Sequence, residues 1–241
     1  MSDNPSQASG LALIVGASRG LGHGLAREHL RRGWRVVATV RHSGHSTARH
    51  TPLHDLKAEA EGALEIESLD INAPDQVAAL RRRLDGRQLD LLFVNAGASS
   101  NPGELISQIS TEDFTRMMVT NALSPMRVVD AFADLVRPDG TIAVMSSGMG
   151  SVAGNTEGGM EVYRASKASL NTLMRSFAAR HEGDPRTLLC IHPGWVRTDM
   201  GGPSAPLDVE TSTRGIADVI AAHRGKPGLA FLDYRGETIA W

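Results

Sequence analysis

The chain has 241 residues, 41% of them hydrophobic and 22% charged, with a formal net charge of −2. This composition excludes a disordered or fibrous chain, and the near-neutral charge gives no reason to expect a nucleic-acid or anionic-membrane partner. Its one cysteine, Cys190, rules out a disulfide framework within the chain and points to a reducing, cytoplasmic setting.

Met1 to Ser9 is polar, lacks the apolar segment of a signal peptide, and reads as a flexible tail ahead of a single domain over 10–241. No apolar run approaches the ~20 residues that cross a bilayer. Strand-like and helix-like patterns then alternate. Leu11–Val15 is an apolar strand, followed by a helix over Leu21–Arg32 with Leu21, Leu25 and Leu30 in helical register. Arg35–Val40 is a β-branched second strand and Leu64–Leu69 a weaker third. Ala73–Leu84 is helical, and Leu89–Val94 is a fourth strand. Thr111–Val136 reads as one long helix containing Pro125. Gly140–Met145 is a fifth strand, Glu161–Arg180 a helix, Thr187–Ile191 a sixth strand, Val209–Ala222 a helix and Leu229–Leu232 a last strand. Apolar strands alternating with helices predict an α/β fold, a doubly wound parallel sheet of Rossmann type. Ligands bind such sheets beyond the carboxyl ends of the strands.

The first strand runs into Gly16-Ala17-Ser18-Arg19-Gly20-Leu21-Gly22 and then a helix. Gly16 permits a tight turn, while Gly20 and Gly22 let backbone approach a pyrophosphate, with a helix N-terminus facing the phosphates. An ordinary glycine-rich loop is the alternative; the strand–turn–helix setting favours a dinucleotide cradle. The second strand ends at Val40-Arg41-His42, without the acid that would bond a ribose 2′-hydroxyl. Arg41, and Arg19 inside the turn, offer guanidinium groups to a 2′-phosphate, which favours NADPH over NADH. Two solvated surface arginines is the competing reading.

Tyr163 and Lys167 stand four apart, on one helix face. A free phenol titrates near 10, and a neighbouring cation is expected to lower that value, making the pair a tunable acid and base. Ser147 could hydrogen-bond a carbonyl oxygen as charge develops.

The glycine turn, Asn95-Ala96-Gly97, Ser146-Ser147 and Tyr163-x-x-x-Lys167 together resemble the short-chain dehydrogenase/reductase family over essentially the whole chain. Pro193-Gly194-Trp195-Val196-Arg197-Thr198 resembles the family's segment after strand six. The ending Phe231-Leu232-Asp233-Tyr234 to Trp241 is similar to the branch around bacterial C-factor and insect sniffer carbonyl reductases. The resemblance implies an NADPH-dependent reductase of ketones or aldehydes with Tyr163 as proton donor. It further implies that Lys167 holds the nicotinamide ribose and Asn121 supports a water-linked proton relay. Asp70 would contact the adenine and Thr198 the carboxamide, while Ile71, Asn95, Ala96, Gly97, Pro193, Gly194 and Val196 would also bind the cofactor. A homodimer through the 111–136 and 161–180 helices is also implied. Oxidation of a secondary alcohol, or NADPH sensing without turnover, are the alternative functions. Two departures stand out. Val15 replaces the family's usual threonine, and Ser147 precedes Tyr163 by sixteen residues, leaving a long loop and a choice between Ser146 and Ser147. The substrate is left to loops 148–160 and 199–208. His42, His45, His50 and His54 match no zinc spacing and read as a solvated loop.

Overall fold

The computed structural model describes residues 10–41, 50–99, 103 and 105–241. His42, His45 and the Met1–Ser9 tail lie outside them. Seven strands form one sheet: β1 (Leu11–Val15), β2 (Arg35–Val40), β3 (Leu64–Ser68), β4 (Leu89–Val94), β5 (Val136–Met145), β6 (Thr187–His192) and β7 (Gly228–Asp233). The order is β3-β2-β1-β4-β5-β6-β7, and every neighbouring pair is parallel. The helices are α1 (Gly20–Arg31), α2 (Pro52–Glu59), α3 (Pro74–Arg83), α4 (Thr111–Met118), α5 (Ser124–Phe132), α6 (Glu161–Arg180) and α7 (Val209–His223).

The central strands β1, β4 and β6 are almost wholly buried because both faces of the sheet are covered. Alternate residues feed two separate cores. Leu13, Val15, Leu92 and Val94 pack with Val77 and Leu80 of α3, Phe132 of α5 and Phe177 of α6. Ala12, Ile14, Leu91 and Phe93 pack with Leu25 of α1, Leu53 of α2 and Ile216 and Ile220 of α7. The chain winds outward from β1 to β3 and returns to place β4 on the other side of β1. That reversal opens a crevice above the carboxyl ends of β1 and β4.

Three expectations are corrected. The solvated loop read through His54 contains α2. Thr51 caps it, with its backbone N–H donating to His54 Nδ1 at 3.1 Å, and Pro52 occupies the first turn, where its missing N–H costs nothing. The long helix read over 111–136 is interrupted. After α4 the chain makes a π-helical turn over Val119–Leu123 before α5 resumes. Pro125 cannot donate to the carbonyl four residues back and crowds it, so the ladder there must widen. Finally, Val136 belongs to β5 rather than to that helix. It pairs with Leu89, and the register then shifts across the exposed Arg137–Asp139 segment before Thr141 pairs with Leu91. The remaining elements match to within a residue or two at their ends.

Candidate active site

The glycine turn sits at the β1 end of the crevice. Gly16 and Gly20 have φ of +85° and +55°, values an L side chain rarely adopts. A Cβ on Gly22 would lie 2.1 Å from the Gly16 carbonyl oxygen, so that position has no room for a side chain. Asn95 Nδ2 donates to the same carbonyl at 2.7 Å, tying β4 to the turn. The Gly16 N–H donates to the Thr39 hydroxyl at 2.9 Å, and Ala17 N–H to the Thr39 carbonyl at 2.8 Å. Thr39, wholly buried in β2, thus braces the turn directly after Val15. Its only sequence signal was a hydroxyl in an otherwise apolar strand. The N-terminus of α1 has neither a side-chain cap nor an acidic residue in its first turn, which leaves its positive end for an anion.

From this turn a cleft of about 480 Å³ runs to Tyr163 and Lys167. It is bordered by every expected site residue except Gly22, Asn121, Ser147, Gly194 and Val196, which stand behind its walls or beside it. It also meets Leu69, Asn72, Ala98, Thr120 and Arg197, which had no expected role, and Met145, Asp199 and Met200. Asn72 Nδ2 donates to the Thr120 hydroxyl at 3.1 Å, and Arg197 Nη1 donates to the Ala205 and Pro206 carbonyls, each at 2.9 Å. Arg41 is exposed at the carboxyl end of β2 and has no acidic partner among the described residues. Arg19 is instead engaged, 2.9 Å from Asp199 in an exposed ion pair across the cleft mouth. A tight glycine turn, an uncapped helix N-terminus and Arg41 in place of an acid form a donor set that fits a nicotinamide dinucleotide.

At the other end, α6 opens on three left-handed residues, Gly158, Gly159 and Met160, with φ of +69°, +68° and +51°. Arg164 Nε holds this entrance by donating to the Gly158 and Gly159 carbonyls. One turn of helix then places Tyr163 and Lys167 on the same face. Lys167 is buried. Its Nζ donates to the Met145 carbonyl at 2.8 Å and lies 5.8 Å from the centroid of the Tyr163 ring. Burial pulls the Lys167 pKa down to about 8.

The Tyr163 phenol departs from expectation. Burial pushes its pKa up, and the opposing influence is a hydrogen bond with Ser147 rather than the Lys167 cation. The ammonium sits over the ring and is turned toward Met145, so it does not reach the hydroxyl. The two serines also separate here. The Ser147 hydroxyl accepts from Met149 N–H at 3.1 Å and is the group that opposes the rise of the Tyr163 pKa, whereas the Ser146 hydroxyl, on the cleft wall, donates to Asn171 Oδ1 at 2.7 Å. Asn121 lies within the π-helical turn and is fully buried. Its Oδ1 accepts from Ala98 N–H at 2.7 Å, and its Nδ2 lies within bonding distance of the Ala98 carbonyl and the Ser166 hydroxyl. Gly97 lies between it and Lys167: a Cβ there would be 3.3 Å from Asn121 Oδ1 and 3.4 Å from Lys167 Nζ. The Thr198 methyl comes as near the glycine turn, 3.5 Å from where a Gly20 Cβ would stand.

The sequence matches the family described as short chain dehydrogenase over residues 10–206. A short-chain dehydrogenase/reductase from Burkholderia multivorans, solved with bound NADP, is 53% identical. The match covers 97% of this chain and 100% of that one, with a TM-score of 0.93. A carbonyl reductase from Pseudomonas aeruginosa in complex with NADP is 38% identical over 97% of this chain and 100% of its own, with a TM-score of 0.88. The C-signal protein of Myxococcus xanthus is 38% identical over 155 residues, 64% of this chain and 93% of its own.

Proposed function

The chain belongs to the short-chain dehydrogenase family as an NAD(P)-dependent oxidoreductase of carbonyl reductase-like type, and from that premise we propose that it reduces a ketone or aldehyde with NADPH. The observation that carries this reading is Tyr163 and Lys167 on one helix face at the end of a cleft that runs to the glycine turn. The cofactor, when bound, supplies the hydride. Tyr163 delivers a proton to the substrate oxygen, and the Ser147 hydroxyl donates to that oxygen as negative charge builds on it. The burial that pushes the phenol up keeps it protonated at neutral pH, the state a proton donor needs, and this favours reduction over alcohol oxidation. Lys167 holds the nicotinamide ribose, and Asn121 keeps the adjoining wall in place through Ala98 while serving the proton relay. The glycine turn with Ser18, Leu21 and Gly22 takes the pyrophosphate, Arg41 takes the 2′-phosphate, and Asp70 and Ile71 flank the adenine. Pro193, Gly194, Val196 and Thr198 close on the carboxamide.

The loops after β5 and β6 present Met149, Val152, Trp195 and Met200 to solvent. Arg164 in the first turn of α6 and Arg197 after β6 are tied to backbone carbonyls. Both features support a neutral, apolar substrate. A panel of carbonyl compounds of graded polarity, followed by NADPH consumption with an NADH control, tests the reading. Turnover of apolar ketones or aldehydes is expected with NADPH, and absence of turnover across the panel refutes it. The lone cysteine of the sequence supports a reducing, cytoplasmic compartment. Among the described residues no helix is long and apolar enough to cross a membrane.

Exposed Phe114 on α4, Leu123 in the π-helical turn and Leu173 on α6 support a homodimer through these helices. Light scattering is expected to report twice the chain mass of 25.7 kDa, and a single-chain mass at micromolar concentration would remove the dimer.

A further inference from the structure

Ser147 and Tyr163 must meet to within a fraction of an ångström for both to act on one oxygen. The chain between them is the long loop 148–160, which includes exposed Val152 and the glycines at 154, 158 and 159. A connection of that kind cannot set such a distance by itself.

A second connection runs through α6. Asn171 follows Lys167 by four residues and Tyr163 by eight, so all three occupy one face of the helix. Its side chain is buried and both ends of its amide are used on the turn that carries Ser147. Oδ1 accepts from the Ser146 hydroxyl at 2.7 Å, and Nδ2 donates to the Gly150 carbonyl at 3.2 Å. Ser147 lies between these two anchor points. Within the turn, Met149 N–H donates to Ser147 Oγ at 3.1 Å and Gly150 N–H to the Ser147 carbonyl at 2.8 Å. The turn is pressed against the helix at the same place: a Cβ on Gly150 would lie 3.0 Å from Asn171 Nδ2 and from Lys167.

We propose that Asn171 is the positioning residue for Ser147, so that one rigid helix carries the phenol, the ammonium and the amide that sets the serine against the phenol. The assignment rests on the reductase reading for its consequence in turnover, but the brace itself is a statement about geometry. It also explains why the neighbouring serines divide their duties: Ser146 is consumed by the brace, and Ser147 is left to face Tyr163.

The test compares Asn171→Ala, Ser146→Ala and the double variant. Each is measured for NADPH binding, for the pH profile of kcat on a carbonyl turned over by the wild type, and for amide hydrogen exchange across 146–151. A shift of ~1 Å in a reacting group can cost on the order of a hundredfold. Asn171→Ala is therefore expected to lower kcat by about ten- to a hundredfold. Ser146→Ala, which removes one of two anchors, is expected to cost less, and the double variant to be no worse than Asn171→Ala alone. NADPH binding should hold. Exchange should quicken at 148–151 while β5 and the body of α6 stay protected.

The pH profile separates positioning from packing. Reduction needs protonated Tyr163, so kcat falls as pH rises through the phenol's pKa. The Ser147 bond holds that pKa down, and its loss should carry the alkaline limb to higher pH. The other titratable groups near this turn are Lys167 on the same helix face, Cys190 near Lys167, and His192 of β6, whose ring lies 3.4 Å from where a Gly148 Cβ would stand. None of them is altered in the variants. A lower kcat with an unmoved limb would make Asn171 a packing residue and overturn the proposal, as would unchanged exchange at 148–151. Should Asn171→Ala not fold, Ser146→Ala is read by the same criteria. If the wild type turns over no carbonyl, the reductase reading fails and the exchange data alone decide the brace.

Discussion

Tyr163→Phe is expected to lower turnover by about a thousandfold or more while leaving NADPH affinity nearly unchanged. A positioned general acid contributes on the order of a hundred- to ten-thousandfold, and each decade is ~1.36 kcal/mol of transition-state stabilisation. Phenylalanine keeps the ring, its packing and its place under the Lys167 ammonium, 5.8 Å from the ring centroid. It removes only the hydroxyl that meets Ser147. The glycine turn and Arg41, at the other end of the cleft, are untouched. Single-turnover reduction and a fluorescence titration with NADPH separate the two effects. Retention of more than about a tenth of the rate would take the proton away from Tyr163. An equal loss of binding would mean that the ring, rather than the hydroxyl, had been disturbed.

The second large effect concerns Arg41. Charge-assisted hydrogen bonds contribute roughly 1.5–3 kcal/mol, so Arg41→Ala should weaken NADPH about ten- to a hundredfold and leave NADH close to unchanged. Arg41→Asp should go further. It repels the 2′-phosphate and offers an acceptor to the ribose hydroxyl of NADH, turning the preference toward NADH. Arg19 is the second guanidinium at this end of the cleft, 2.9 Å from Asp199. That pair is exposed on both sides, and such pairs contribute only about 0–1 kcal/mol, so Arg19 can be recruited at small cost. The Arg41→Ala effect is therefore expected to widen in an Arg41/Arg19 double alanine variant. Cofactor dissociation constants for both nucleotides, measured side by side, check this. Equal weakening of NADPH and NADH, or a wild type that prefers NADH, would remove the 2′-phosphate from Arg41.

What the sequence determined on its own was whatever depends on neighbours within a few residues. Apolar runs such as Leu11–Val15 and Leu91–Val94 announce buried parallel strands because both faces need covering. Gly16, Gly20 and Gly22 announce a turn with no room for side chains, and a spacing of four places Tyr163 and Lys167 on one helix face. Helix α2 leaves no such signal, because its eight residues bury only Leu53 and Leu56, too few to register as a periodicity. The tertiary structure decided everything that rests on partners far apart in the chain. It placed Thr39 under Gly16 across 23 positions and gave Ser146 to Asn171 across 25, which left Ser147 for Tyr163. It widened the helix at Asn121, turned the Lys167 ammonium toward Met145, and made burial rather than charge the main influence on the phenol. Strand and helix periodicity are properties of the local backbone and survive in the sequence. Hydrogen-bond partners and local dielectric are set by which surfaces the fold brings together, and no spacing in the sequence encodes them.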